Sequence, residues 1–382
     1  MRIHWCGIGP GSGPGLRRLS QDGFPVTIWV PAGDGDQARL HDLPGGVRRY
    51  VLSELDSVLG RGDIVVSMLR AEDHADLARH CIGRGAHFLW PGHVSPELAG
   101  MDDAARRAGS VLMGGIGLDP GLDHLMAQDL VTAYRMSLAC RPGNVLSFQS
   151  VSGSFPVEPG PFRGKFNHPP TDMLRTLSAP ARYRRGFVDL SIAHPWDGLG
   201  ERLVPLPRPQ TFEVHPIRDS QRDWGSSLLD SAWTVREFFH GTLRPLGWAM
   251  AWQSVFDQIA AMPRDAQARE TALAELSERL AADHPYHGDE PDRVVMEVTL
   301  LAEAEGRPVW HQSWVLDAEA DTRGSALARL VSVPVALCVL LVMAREIPVG
   351  VHPAPHDPRL VRRLLDQCIL QAQTCLRINH LR

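Results

Sequence analysis

The opening of the chain constrains its fold more than any other feature. A short apolar run, Ile3-His4-Trp5-Cys6, passes into a glycine-rich stretch from Gly7 to Gly15. A helical stretch from Leu16 to Asp22 follows, then a second apolar run, Val26-Thr27-Ile28-Trp29-Val30. Strand, glycine turn, helix and strand in that order make a βαβ unit. The alternation continues. Asp63 to Met68 reads as a buried strand, Ala71 to Arg84 as a helix and His87 to Trp90 as a strand. Pro96 to Ala108 reads as a helix and Ser110 to Met113 as a further strand. Short apolar strands alternating with helices imply an α/β fold whose first third is a Rossmann-type, doubly wound parallel sheet.

The texture changes after Asp119-Pro120-Gly121 and a helix from Leu122 to about Ala139. Strand-like runs such as Val145 to Val151 now alternate with long Pro/Gly-rich loops. Trp233 to Leu280 reads as mostly helical. The runs Arg293–Leu300 and Pro308–Leu316 flank Glu305-Gly306-Arg307 and read as a β-hairpin. The expected organisation is a Rossmann domain over 1–118 and an α+β substrate domain over 119–345 with a helical insert at about 233–285. A C-terminal helical segment over 346–382 is expected to return to the Rossmann domain. A chain of 382 residues, 44% of them hydrophobic, is long enough for two cores.

Charge and cysteine content narrow the function. With 39 Lys+Arg against 44 Asp+Glu, the net charge of -5 offers no footprint for nucleic acid or an anionic membrane. The six cysteines include no Cys-x-x-Cys pair, so neither a disulfide framework nor a metal site is expected from their spacing. The N-terminal residues carry no signal-peptide core, and a cytoplasmic location is expected. The most apolar stretch, Leu330 to Ala344, is too short for a bilayer and contains Pro334, so it reads as a buried helix.

A dinucleotide site needs glycines where strand turns into helix, so that backbone N–H groups and the helix N-terminus can approach a pyrophosphate. Gly7, Gly9, Gly11 and Ser12 are the candidates, with Ser12 standing where the fingerprint has its third glycine. Leu69, just past the strand at Asp63–Met68, is placed with them. An acid that would bind the adenosine ribose of NAD is missing at Val30-Pro31-Ala32. Asp34 and Asp36 lie farther out, and Arg39 could meet a 2′-phosphate, which tilts the expectation from NAD toward NADP.

The segment Ile116-Gly117-Leu118-Asp119-Pro120-Gly121-Leu122-Asp123-His124 resembles the signature of the saccharopine dehydrogenase (saccharopine reductase) family. Further blocks agree in the same order: Ser95-Pro96, Ser150 to Pro156, Lys165-Phe166, Phe212-Glu213-Val214, Arg218-Asp219-Ser220, Gly241-Thr242-Leu243-Arg244 and Gly247-Trp248. The resemblance implies a second domain whose sheet faces the nicotinamide across a cleft. It also implies a reaction in which an amino acid such as glutamate condenses with an aldehyde such as 2-aminoadipate semialdehyde, and the imine takes a hydride from NAD(P)H. The reverse direction oxidises a secondary amine.

On that resemblance Asp119 and Pro120 join the cofactor contacts, and Lys165, Arg218, Thr242 and Arg244 become the substrate-binding candidates. Arg suits this task because its planar fork grips a carboxylate bidentately. The bland alternative pairs each cation with an Asp or Glu. His93 and Ser152 stand where the family has Tyr and Cys for proton transfer, and histidine titrates near neutral pH. Asp119 reads more as a loop-shaping carboxylate than as a catalytic one. Two departures fall at the site: Gly114-Gly115 replaces Asn-Glu, and Asn167-His168-Pro169-Pro170 replaces an aromatic Ser-Trp-Ser-Pro run. Three readings therefore stay open: a saccharopine-type reductase, a related amine dehydrogenase of lysine or carboxy-polyamine type, and a non-catalytic dinucleotide-binding protein. A small amino-acid substrate is the expected partner, and a homodimer is carried as an expectation.

Overall fold

The computed structural model describes residues 1–9, 11–32, 46–167, 169–217, 228–287 and 290–381. Arg218, His168, Asp34, Asp36 and Arg39 lie outside them. In chain order the first elements are β1 (Ile3–Cys6), α1 (Gly13–Gln21), β2 (Val26–Val30), β3 (Gly46–Arg49), α2 (Leu52–Val58) and β4 (Ile64–Ser67). Next come α3 (His74–Arg84), β5 (His87–Leu89), α4 (Pro96–Ala99), α5 (Asp102–Ala108), β6 (Val111–Met113) and α6 (Leu122–Arg135). The middle of the chain forms β7 (Val145–Pro156), α7 (Thr171–Ser178), β8 (Ala181–Arg185), β9 (Val188–Ile192), β10 (Gly200–Val204), β11 (Gln210–Pro216) and β12 (Thr234–Arg244). It continues with α8 (Trp248–Ala260), α9 (Ala266–Asp283), β13 (Asp292–Ala304) and β14 (Arg307–Glu319). The last elements are α10 (Ala326–Met343), β15 (Gly350–His352), α11 (Pro358–Cys368) and β16 (Thr374–Asn379).

Contacts divide the chain into two compact units. One is Met1–Asp129 with Asp321–Gln371, the other Leu130–Ala320 with Ala372–Arg382. The first holds a seven-stranded sheet in the order β15-β6-β5-β4-β1-β2-β3, parallel at every pairing. β1, β4 and β6 are buried at every residue, as a parallel sheet covered on both faces requires. The order reverses between β1 and β4, so the carboxyl ends of these strands flank a switch point, where doubly wound sheets bind ligands.

α10 returns to this unit. It packs against α1 so closely that a Cβ on Gly15 would lie 2.4 Å from the Ser332 carbonyl oxygen. The Gly15 N–H donates to Ser332 Oγ at 2.9 Å. By length and composition this 18-residue helix could cross a membrane, which corrects the shorter stretch read from the sequence, but 78% of it is buried inside the protein.

The second unit is built on a nine-stranded mixed sheet, β10-β11-β12-β7-β13-β14-β16, with β8 and β9 branching from β12. β7 and β12 run parallel, and the other pairings are antiparallel. The expected hairpin is present: β13 and β14 are joined by Glu305 and Gly306, both at positive φ (50° and 73°), the two-residue turn whose twist matches that of paired strands. α7, α8 and α9 pack around Trp248, Trp252 and Phe256.

Several expectations are corrected. The chain from Thr234 to Arg244 is a strand, not part of a helical insert; a bulge between Val235 and Glu237 breaks its two-residue alternation. The helix expected over Pro96–Ala108 is two helices, separated at Gly100 and Met101. The expected boundary at 345 moves back to Asp321, because α10 belongs with α1. The end of the chain is not helical beyond a single 3-10 turn at Ile369–Gln371: Thr374–Asn379 pairs with β14 and so belongs to the second unit.

Gly15→Val should cost about 3 kcal/mol of unfolding free energy, because the obstacle is backbone and cannot swing aside. Gly13→Ala meets only the flexible end of Arg17 and should stay within about 0.5 kcal/mol of wild type. Urea denaturation of the two variants checks the contrast.

Candidate functional site

In the first unit, every site residue expected from the sequence sits past the carboxyl end of a strand. Gly7 to Ser12 follow β1, Leu69 follows β4, His93 follows β5, and Asp119 and Pro120 follow β6. Gly7 has φ +86°, and a Cβ there would lie 3.1 Å from the Met68 backbone and 3.2 Å from Leu69 Cδ2, so the turn passes tightly under the end of β4. Gly9 is exposed, and a Cβ on it would meet nothing within 4 Å. Gly7 therefore serves the turn, while Gly9 leaves open space beside it.

Ser12 is 1% exposed; its N–H donates to Gly9 O at 3.0 Å and its hydroxyl to Gly7 O at 3.4 Å. The side chain that replaces the third glycine thus braces the turn. The close-packing role of that glycine falls to Gly15, which sequence reading passed over because it lies outside the six-residue spacing. Pro14 has no N–H and that of Gly15 is taken by Ser332, so the backbone donors this turn offers come from residues before Pro14.

The turn carrying His93 and the signature loop are hydrogen-bonded to each other, with Gly115 N–H donating to Gly92 O at 2.7 Å. His93 is exposed, and its carbonyl accepts from Trp90 Nε1 at 3.0 Å. Asp119 is half-buried and Pro120 buried. Within the loop, Asp123, fully buried, accepts the Gly121 N–H at 2.7 Å and lies 2.9 Å from His124 Nδ1. Asp123 thus helps to shape the loop. Gly114 and Gly115 have no room for side chains: a Cβ on the first would lie 2.5 Å from the Trp90 ring, and on the second 2.1 Å from Pro353 O.

In the second unit, Ser152, Thr242 and Arg244 are brought onto one face of the sheet. Thr242 is the register partner of Ser152 and of His215, and Arg244 that of Glu213. Arg244 is half-buried, its guanidinium 5.0 Å over the Trp248 ring, with Nε donating to His215 Nε2 at 3.4 Å. His215 Nδ1 is 3.2 Å from Pro216 O and must donate there, which leaves Nε2 to accept from Arg244. Burial first, and the Arg244 charge second, hold the His215 pKa down at about 3, so the ring is neutral. Burial lowers Arg244 itself to about 10, so it stays a cation at neutral pH.

The carboxylate opposite Arg244 is used elsewhere. Glu213 accepts from Gly247 N–H at 2.9 Å and Ala249 N–H at 2.7 Å, capping the N-terminus of α8. No carboxylate pairs with Arg244 among the described residues. In the sequence, Glu213, Gly247 and Trp248 belong to blocks of the family resemblance, with no role apparent from their types alone. Strand alternation facing Glu213 toward Arg244 was the available signal. Lys165, by contrast, pairs with Glu290 at 2.7 Å.

The family model described as Saccharopine dehydrogenase C-terminal domain matches residues 117–369. The chain belongs to the saccharopine dehydrogenase family. Alpha-aminoadipic semialdehyde synthase of Arabidopsis thaliana is 30% identical over 210 residues, which span 53% of this chain and 19% of that protein. Saccharopine dehydrogenase [NADP(+), L-glutamate-forming] of Schizosaccharomyces pombe is 27% identical over 202 residues, 50% of this chain and 42% of that one. The matches thus cover less than half of either relative. Apo saccharopine dehydrogenase (L-Glu forming) from Saccharomyces cerevisiae superposes with a TM-score of 0.78 over 99% of both chains at 19% identity. Homospermidine synthase from Legionella pneumophila, in complex with NAD, gives 0.66 over 99% of this chain and 91% of that one at 11% identity. Both likenesses establish the fold.

Gly9→Val should leave stability within about 0.5 kcal/mol of wild type. It should weaken binding of a nicotinamide dinucleotide about tenfold or more by filling the space left for the pyrophosphate. Nicotinamide fluorescence titration beside a thermal melt checks both.

Proposed function

We propose that the chain is a saccharopine dehydrogenase-like, NADP-dependent oxidoreductase. It reduces the imine formed between glutamate and 2-aminoadipate semialdehyde, or oxidises the corresponding secondary amine. One observation carries the substrate side of this reading: a half-buried guanidinium on the sheet face with Ser152 and Thr242, whose nearest strand carboxylate is spent on a helix N-terminus. Such a cation calls for an anionic partner, and a substrate carboxylate supplies it. The stacked Trp248 ring and neutral His215 fix the plane of the guanidinium without satisfying its charge.

The bound dinucleotide supplies or accepts the hydride. The residues that hold it are Gly7, Gly9, Gly11, Ser12, Leu69, Asp119 and Pro120. NADP is preferred over NAD because β2 ends at Val30-Pro31-Ala32 with no acid, while the register partner of Trp29 is Arg48, on an exposed strand. The relatives named for NADP(+) point the same way. His93 is assigned acid–base work during dehydration of the carbinolamine, with Ser152 as the hydroxyl nearest Thr242 in register.

One observation favours a second reading, a related amine dehydrogenase acting on lysine or a carboxylated polyamine. Where the family has Asn-Glu, Gly114 and Gly115 are packed against Trp90 and Pro353 with no space for those side chains. Loss of a carboxylate and an amide there would suit a substrate with different polar groups.

Loss of reduced-nicotinamide absorbance with glutamate and the semialdehyde together, but with neither alone, is the expected result. Turnover only with lysine, diamines or other keto acids would select the second reading, and tight cofactor binding with no turnover would reject both. Arg244→Ala should lower kcat/KM by about 2 kcal/mol, roughly thirtyfold, as a substrate carboxylate loses its charged donor. The contribution of Arg244 to KM should stay flat from about pH 5 to about pH 9, because His215 gains its proton only near 3. It should be lost as pH rises through about 10, where Arg244 gives up its proton. A KM profile against pH reads this directly.

A further inference from the structure

The opposite face of the nine-stranded sheet carries a second constellation that the proposed reaction does not use. Along β7 and β13 this face is apolar at one end, with Val151 and Val295, and polar at the other, with Ser147, Glu297 and Thr299. The sheet curls over this face. β10 stands four strands from β13, about 19 Å away in a flat sheet, yet Arg202 of β10 donates from Nε to Glu297 Oε2 at 2.7 Å.

Inside the curl, Ser147, Glu297 and Thr299 are only 5%, 3% and 6% exposed. Buried polar groups at the mouth of a rolled sheet cost stability unless they are satisfied, and such mouths are common ligand sites. Here they line a cavity of about 390 Å³, together with Arg236, Glu237 and His311.

The charges in the cavity define what fits it. Arg202 is balanced by Glu297, whose other oxygen accepts from Thr299 Oγ1 at 3.1 Å. Arg236 is balanced by Glu303 at 2.5 Å. Each guanidinium has five N–H donors, more than these contacts use. Glu237 accepts from Gln149 Nε2 at 3.1 Å, and no cation pairs with it among the described residues. His311 is stacked on His380 at 4.2 Å; burial, then His380 and Arg202, depress it to about 4, so it adds no charge. The cavity therefore offers spare guanidinium donors together with one uncompensated carboxylate. A simple anion would face Glu237 and a simple cation would face the guanidiniums. A ligand with both charges meets both.

We propose that this cavity is a second small-molecule site, binding a free α-amino acid with its carboxylate on Arg202 and Arg236 and its ammonium on Glu237. The proposal does not depend on the reaction assigned above.

Calorimetric titration of the full chain carrying Arg244→Met, which removes the proposed substrate cation, separates the two sites. The probes are glycine, L-glutamate and L-lysine, with acetate and methylamine as single-charge controls. At least one amino acid should bind with one-to-one stoichiometry, and the two controls about tenfold or more weakly. Adding Glu237→Gln should weaken amino-acid binding about tenfold or more at an unchanged melting temperature, since the substitution removes a charge and keeps the shape. Absence of amino-acid heats at millimolar concentration, acetate binding as tightly as the amino acids, or indifference to Glu237→Gln would each overturn the site. So would a dimer that dissociates on Leu203→Glu, because Leu203 is 60% exposed at this cavity and a second copy would then be its occupant.

Discussion

Gly15 and Ser332 stand 317 positions apart, and the first unit is closed by their contact. Its sheet begins with the first strand of the chain, but α10, β15 and α11 follow only after residues 130–320 of the second unit. The serine hydroxyl receives the Gly15 N–H and donates to Ala328 O at 2.7 Å, so one side chain satisfies a donor of α1 and ties it to α10. This arrangement explains the irregular fingerprint. With helix packing handled at Gly15, the third fingerprint position no longer needs to be bare, and Ser12 uses its side chain inside the turn. The consequence for ligand binding is that the turn keeps two separate demands on glycine, tight passage at Gly7 and open approach at Gly9.

A comparable division of labour governs the second unit. β11 and β12 place Glu213 opposite Arg244, which in most sheets would make a cross-strand ion pair. Instead, the short link from β12 into α8 brings the helix N-terminus over Glu213, and two backbone N–H groups claim both of its oxygens. The helix is capped and the guanidinium is left with an aromatic face and a neutral imidazole. Three sequence blocks, at 212–214, 241–244 and 247–248, are thus one physical device, and a change in any of them would be felt at Arg244.

The strand–helix alternation, the glycine turn and the hairpin were legible because each is written in a local pattern: short continuous apolar runs buried at every residue, or a turn at positive φ between two strands. β12 was not, since its bulge at Val235 and Glu237 interrupts the alternation, and neither was β16, whose only signal is a partner in β14. The domain boundary near Asp321 depends on which helix α10 touches, a long-range fact invisible to any window. At the site, the residue types of Arg244, Thr242 and Ser152 led to a shared face. Lys165 pairs with Glu290, 125 positions away, a contact that no local pattern announces. Asp123 was missed as a loop-shaping residue, because its acceptance of the Gly121 N–H depends on how the signature turns back on itself.

The pair Gly114-Gly115 connects these observations to specificity. A glycine pair could mean a loosened loop, but the opposite holds here, since both positions are in van der Waals conflict with any side chain. Trp90, stacked on Phe88 at 5.0 Å and anchored through its indole N–H, fills the volume beside Gly114. Exchanging polar side chains for an indole wall raises the cost of bringing a charged group to that loop, because a desolvated charge without a partner is strongly disfavoured. Arg244 bears a cost of the same kind: burial lowers its pKa to about 10, and its guanidinium lies over an aromatic ring with no carboxylate paired to it among the described residues.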